Sequence, residues 1–308
     1  MAFFLADKDT LCRDLWPENV GQVVQERSLS VADLPEYRKV PEDAEDLAEW
    51  LWVDRQDALA QALVYVYTDT DVDEPEELVV RLQGVISQAN LAVGGNWDGT
   101  EINAKKATQQ LVLTSGGCDA AFDPQVRVLK TLREAVLAQL GCCEDVGAAR
   151  QDAIVMRKRV FTKIRPGVND HLHTIVRDEE DPRGRFKAIV KQWRPTERLR
   201  AGTQLAHGEV FYVNPLSLRK GDFVDVSARI VVAYTRGPQG RRYELSLEPI
   251  LIVRLAAPMQ FQRLVRPPRT LTAQKTALGD AKQGRVTMAF GFKMVEPPTD
   301  DDESRMQE

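Results

Sequence analysis

Three stretches of the chain set arginine and lysine beside aromatic rings, a combination suited to a polymer of phosphates and bases. Arg157-Lys158-Arg159 runs into Val160-Phe161, and Arg183-Gly184-Arg185-Phe186-Lys187 continues through Lys191 to Trp193-Arg194. A third cluster, Arg236, Arg241 and Arg242, surrounds Gly237-Pro238-Gln239-Gly240, with Tyr234 and Tyr243 in the flanking segments and Phe223 further back. Guanidinium groups neutralise phosphates, and a ring offers an unpaired base a stacking face worth ~1–3 kcal/mol. Arg263, Arg266 and Arg269 add a basic segment interrupted by prolines. Tyr234 and Tyr243 fall on apolar faces of alternating segments, which predicts core positions, whereas Trp193, followed by Arg194-Pro195, is expected within reach of the surface.

The histidines offer a second chemistry. His171 and His173 are two apart, so an extended segment would carry both on one face. With His207 and a carboxylate such as Glu179 or Glu209 they would make a divalent-metal site. A cupin centre uses such an HxH, but here Arg177 and Asp178 stand where its glutamate belongs, and Gly167 lies only four residues ahead of His171. An ordinary histidine pair fits that spacing better, and no cofactor is expected.

Asp69, Asp71 and Asp73 begin like a calcium loop, yet Glu74, Pro75 and Val80 occupy positions that need other residues. These acids are expected instead to favour the start of a helix at Pro75. Cys12, Cys118, Cys142 and Cys143 lack zinc-ligand spacing, and no phosphate-binding loop, nucleophile elbow or dinucleotide fingerprint is present. The residues do not support an enzyme.

Charge is partitioned by position. The 308 residues sum to a formal −5, but residues 1–150 hold 13 basic and 27 acidic residues. Residues 151–295 hold 27 basic and 13 acidic, and residues 296–308 hold six acids against Arg305. Net values of −14, +14 and −5 therefore underlie the total, so near-neutrality does not exclude a polyanion partner.

The elements that must position these residues fall into two halves. Residues 1–40 read as an arm or cap, residues 41–150 as an acidic, mainly helical domain, residues 151–295 as a basic β-rich domain, and residues 296–308 as a disordered acidic tail. Helices are expected over 42–52, 54–67, onward from Pro75 and from Asp123-Pro124 to a terminal Gly141. Beyond 150 the period becomes two: Val224, Val226, Ala228, Ile230 and Val232 share a face, as do Val286, Met288, Phe290, Phe292 and Met294. Weaker strands fit 154–161, 171–177, 186–193 and 208–213. Leu218-Arg219-Lys220-Gly221-Asp222 is a turn with a positive-φ glycine, of a kind that often leads into strands of OB-type barrels. The fold class is thus α+β: an acidic helical half, then an antiparallel barrel or sandwich, with an OB-like barrel one form of it.

The leading expectation is a non-enzymatic nucleic-acid-binding protein, DNA or RNA, single-stranded rather than duplex, working through the basic half. The acidic half and tail would mediate protein contacts or autoinhibition. One alternative is a self-assembling coat or scaffold protein with head-to-tail charge complementarity; another is a cupin-like metal enzyme. The expected partners are nucleic acid and, through residues 41–150, another protein or a second copy. With no basic leader before Phe3-Phe4-Leu5 and no long apolar run, an intracellular setting, cytoplasmic or nuclear, is expected, without a membrane span.

Overall fold

A computed structural model describes residues 3–4, 16, 43–56, 61–66, 76–141, 152–164, 176–206, 208–237, 240–265, 286–289 and 292–295. In chain order its elements begin with β1 (Phe3–Phe4), α1 (Ala44–Trp50), β2 (Leu51–Gln56), β3 (Gln61–Val66), β4 (Glu76–Glu77) and β5 (Val79–Asn90). There follow α2 (Glu101–Ala104), β6 (Thr108–Thr114), α3 (Asp119–Gln139), β7 (Ile154–Arg159), β8 (Phe161–Lys163), α4 (Arg185–Ile189) and β9 (Trp193–Pro195). The remainder are β10 (Arg200–Gln204), β11 (Val210–Tyr212), β12 (Phe223–Gly237), β13 (Gly240–Ala256), α5 (Pro258–Val265), β14 (Val286–Ala289) and β15 (Phe292–Val295).

Thirteen strands share one sheet, in the main order β14-β15-β11-β10-β13-β7-β6-β5-β12-β3-β2. The long hairpin of β12 and β13 adds a pairing that turns part of this path back on itself. β5 pairs with β6, β6 with β7, β7 with β13 in parallel, β13 with β12, and β12 again with β5. Leu82, Leu111, Leu113, Met156, Val224, Val226 and Ile252, drawn from these five strands, lie in one buried cluster. Strands from both sides of position 150 therefore share a sheet and a core.

α3 packs on β5. Gln125 accepts from the Gln83 N–H at 2.8 Å and donates to the Gln83 carbonyl at 3.0 Å. At Gly84 an added Cβ would lie 2.9 Å from Phe122, so the missing side chain admits the ring. A buried Arg81–Asp225 pair, with Nε and Nη2 bonds of 3.1 and 3.0 Å, links β5 to β12, and Gln83 donates to the same carboxylate. Trp16 is buried against Phe223, which also stacks on Phe261 of α5.

The mainly helical reading of the first half is corrected. Residues 54–67 contribute strand to β2 and β3, and the segment after Pro75 is β5. Leu78, Leu82 and Ile86 are four apart, and a step of four is even, so it lies on one face of a strand as well as of a helix. Val79, Val80, Val85 and Ile86 decide for the strand, being β-branched and stiff at χ1. α3 covers the expected helix but starts at Asp119 rather than at Asp123-Pro124, so Pro124 lies inside it, and it ends before Gly141 at φ 72°.

In the second half, 186–193 is not a strand. Asp181 accepts from the Arg185 and Phe186 N–H groups at 2.7 and 2.8 Å, which starts α4 after Gly184 at φ 62°. The single strand expected over 286–294 is the hairpin of β14 and β15. Gly221 has φ 91°, as its turn requires. Among the described residues no helix is long and apolar enough to cross a membrane.

Candidate nucleic-acid interface

β7 sorts its three consecutive bases by alternation. Ile154, Met156 and Lys158 are buried, whereas Arg157 and Arg159 are exposed. Lys158 is only 2% exposed and its Nζ lies 2.7 Å from Glu248, which also binds Arg229 at 2.8 Å. Burial pushes the Glu248 carboxyl up, but the two cations outweigh it and hold the group below its ordinary value. Lys158 therefore leaves the surface set, spent on an internal ion pair. Arg157 and Arg159 stand opposite Gln110 and Thr108 of β6, an outward face of polar and basic residues.

At one end of that face sits a second, smaller core. It is built from Ala104, Ala107, Val160, Phe161 and Ile189, with Trp97, Phe186 and Trp193 packed against it. The rings of Trp97, Phe161 and Phe186 meet mutually at 4.8 to 5.3 Å. Two basic–aromatic stretches that lie apart in sequence are thus joined: β8 pairs with β9, setting Lys163 opposite Trp193 and Thr162 opposite Arg194. Their aromatics mainly hold this unit together. Trp193 is half-buried rather than open at the surface.

The loop from β5 to β6 completes the unit. Asn96 exchanges bonds with Thr108, accepting from its N–H at 2.7 Å and donating its own N–H to the Thr108 carbonyl at 3.0 Å. Gly95 has φ 55°, and a Cβ there would sit 2.2 Å from the Thr108 oxygen, so only glycine fits. The Asp98 carboxyl is held below its ordinary value, first by the Thr100 N–H and then by the Asn103 and Thr100 side chains. Arg185 donates to the Asp98 carbonyl at 3.3 Å.

Exposed bases ring this unit: Arg183, Arg185, Lys187 and Lys191, joined by Lys105, Lys106 and Lys163. Lys187 pairs with Asp178 at 2.8 Å on the open surface. Lys105 and Lys106 were missed by sequence reasoning, although they are the only bases between positions 82 and 126. Residues 182–196 contain five bases and no acid.

The β12–β13 hairpin extends past the other end of β7. Its register sets Arg236 opposite Arg241 and Thr235 opposite Arg242, while Tyr243 is buried as its alternation predicts. With Leu247 beside Met156, Arg241 lies about 20 Å along the strands from Met156, in the direction away from Arg159. Arg263 is exposed on α5. Arg266, Arg269, His171, His173, His207 and the acids from Asp69 to Asp73 lie outside the described residues, and among those described no group of metal-ligating side chains forms.

No family model matches the chain, and no curated protein matches it. Solved structures of the single-stranded DNA-binding protein from bacteriophage Enc34 resemble it weakly. Its complex with single-stranded DNA is 12% identical at a TM-score of 0.26, covering 57% of this chain and 85% of that one. Its C-terminal truncation is 11% identical at 0.28, covering 68% and 96%. A third structure of that protein is 10% identical at 0.26, covering 67% and 90%. Scores of this size do not establish a shared fold.

Proposed function

We propose that the chain binds single-stranded nucleic acid along the outer face of β6 and β7, between the small aromatic core and the β12–β13 hairpin. The observation that carries this reading is the sorting on β7: Arg157 and Arg159 point out beside Gln110 and Thr108, with basic groups at both ends of the face. The closed pairing β5-β6-β7-β13-β12 supports an OB-type barrel as the platform. Stepping across partners from Val79 to Arg229, Glu248, Arg157 and Gln110 returns to β5 at Asn90, eleven residues along. Such a stagger accompanies strand tilt in a closed barrel. Small barrels of this type take oligonucleotides on the face of their second and third strands, flanked by the loops after the first and fourth. Here those positions are β6, β7, the 91–107 loop and the Arg236–Arg242 turn.

Phosphate contacts dominate in this reading, because the three rings of the small core face one another. The acidic tail would compete for the same surface. Val295 is paired with Phe211 on β11, four strands and about 19 Å across the sheet from β7. Asp300 to Asp302 follow five to seven residues later, an extended reach of about 17–23 Å. Anisotropy titration of the full chain with labelled single-stranded and duplex oligonucleotides tests the proposal. Tighter binding of the single strand is expected; equal or tighter binding of duplex would contradict it.

A further inference from the structure

We infer that Ile102 is a base-contacting residue of the interface proposed above, an aliphatic side chain held in water to pack on an unpaired base of the bound strand. This role rests on that reading, in which the rings of Trp97, Phe161 and Phe186 are spent largely on one another and the base contacts must come from elsewhere. Ile102 is 81% exposed, more open than any other large apolar side chain among the described residues.

The loop holds α2 from both ends. Ahead of it, Asp98 accepts from the Thr100 N–H and hydroxyl, both at 2.8 Å, and from the Asn103 side chain. Trp97 donates its Nε1–H to the Thr100 carbonyl at 2.8 Å. Behind it, Ala104 is buried in the small core. Ile102 lies between these anchors, so its exposure is set by the loop. Its side chain gains little from folding, and β-branching already restricts its χ1. Little freedom is then lost when a ligand covers it, which favours binding.

The surroundings suit a strand of phosphates. Lys105 and Lys106 are exposed three and four residues further on, and Glu101 is the only acid from 99 to 107. Arg185 lies against the loop, since a Cβ added at Gly99 would sit 2.8 Å from its side chain. Thr108, two residues past Lys106, stands opposite Arg159, so basic groups run from β7 to the foot of α2. Every base has a ring face, and isoleucine has no donor or acceptor with which to read a base edge. The contact therefore registers that a base is present and unpaired, whichever base it is. In a duplex those faces are stacked on neighbouring pairs, which ties the contact to single strands.

Competition anisotropy with the full chain tests this, using oligothymidylate and an abasic oligonucleotide of equal length and charge. The wild type should bind oligothymidylate more tightly. Ile102→Ser should lower that affinity about fivefold to tenfold, the worth of partly burying one isoleucine, and leave the abasic affinity unchanged. Ile102→Leu should keep most of the preference. Leu216→Ser, which removes a 62% exposed leucine between β11 and β12, should keep all of it. Equal binding of the two polymers by the wild type, an intact preference in Ile102→Ser, or an equal loss on both polymers overturns the role of Ile102 while the phosphate face stands. Binding of neither polymer overturns both.

Discussion

Arg157, Lys158 and Arg159 are consecutive bases with opposite fates, and alternation along β7 is the reason. The outward pair can meet phosphates; the inward lysine neutralises Glu248 with Arg229. Lys158→Met should leave nucleic-acid affinity nearly unchanged while lowering stability by about 3 kcal/mol in denaturant titration, because a buried partner is removed. The Glu248 carboxyl sits below its ordinary value in the folded chain, so its contribution is present above the unfolded glutamate range and lost as pH falls through the depressed folded value. Glu248→Gln should therefore lower stability at neutral pH and flatten the acid limb of the stability profile; an unchanged acid limb would remove this assignment. The sequence marked all three bases as a cluster. A period of two along the extended segment 154–161 separates Lys158 from Arg157 and Arg159.

Elements were legible where one periodicity alone fitted. β12 alternates strictly over Val224 to Ile230 and reads as a strand; β5 does not, because its apolar residues repeat every four positions and satisfy both periods. The pairing of β5 with β12 joins Arg81 to Asp225 across 144 positions, and no local pattern announces such a contact. The same limit hid the small core, where Phe161 and Phe186 meet only after α4 turns back along β9. Gly95 gives that unit a sensitive point. Gly95→Ala would force a left-handed φ on alanine, costing ~1–3 kcal/mol, and crowd the Thr108 carbonyl. Faster amide exchange across 91–107 and weaker oligonucleotide binding are expected, with little change in the exchange of β12; unaltered exchange in the loop would show that the close approach is not constraining it.

Across the whole molecule, the charge partition was readable from composition, but its spatial meaning was not. Acidic and basic halves contribute to one sheet, so the basic half carries only three of the five ring strands and is not a unit to test alone. The tail can be removed instead. A chain ending at Val295 loses six acids and one base and should bind single strands more tightly than the full chain, most clearly at low salt. Equal affinity for the two would mean that the tail does not occupy the basic face. The most direct test of the account is the salt dependence of single-strand affinity in the full chain, compared with Arg157→Gln/Arg159→Gln. Each phosphate contact on a single strand contributes about 0.7 to the slope of log K against log salt, so losing two should reduce it by about 1.4. A steep wild-type slope that becomes shallower in the double variant is the predicted result. Absent binding, or a slope unchanged by the two substitutions, would contradict the assignment of this face.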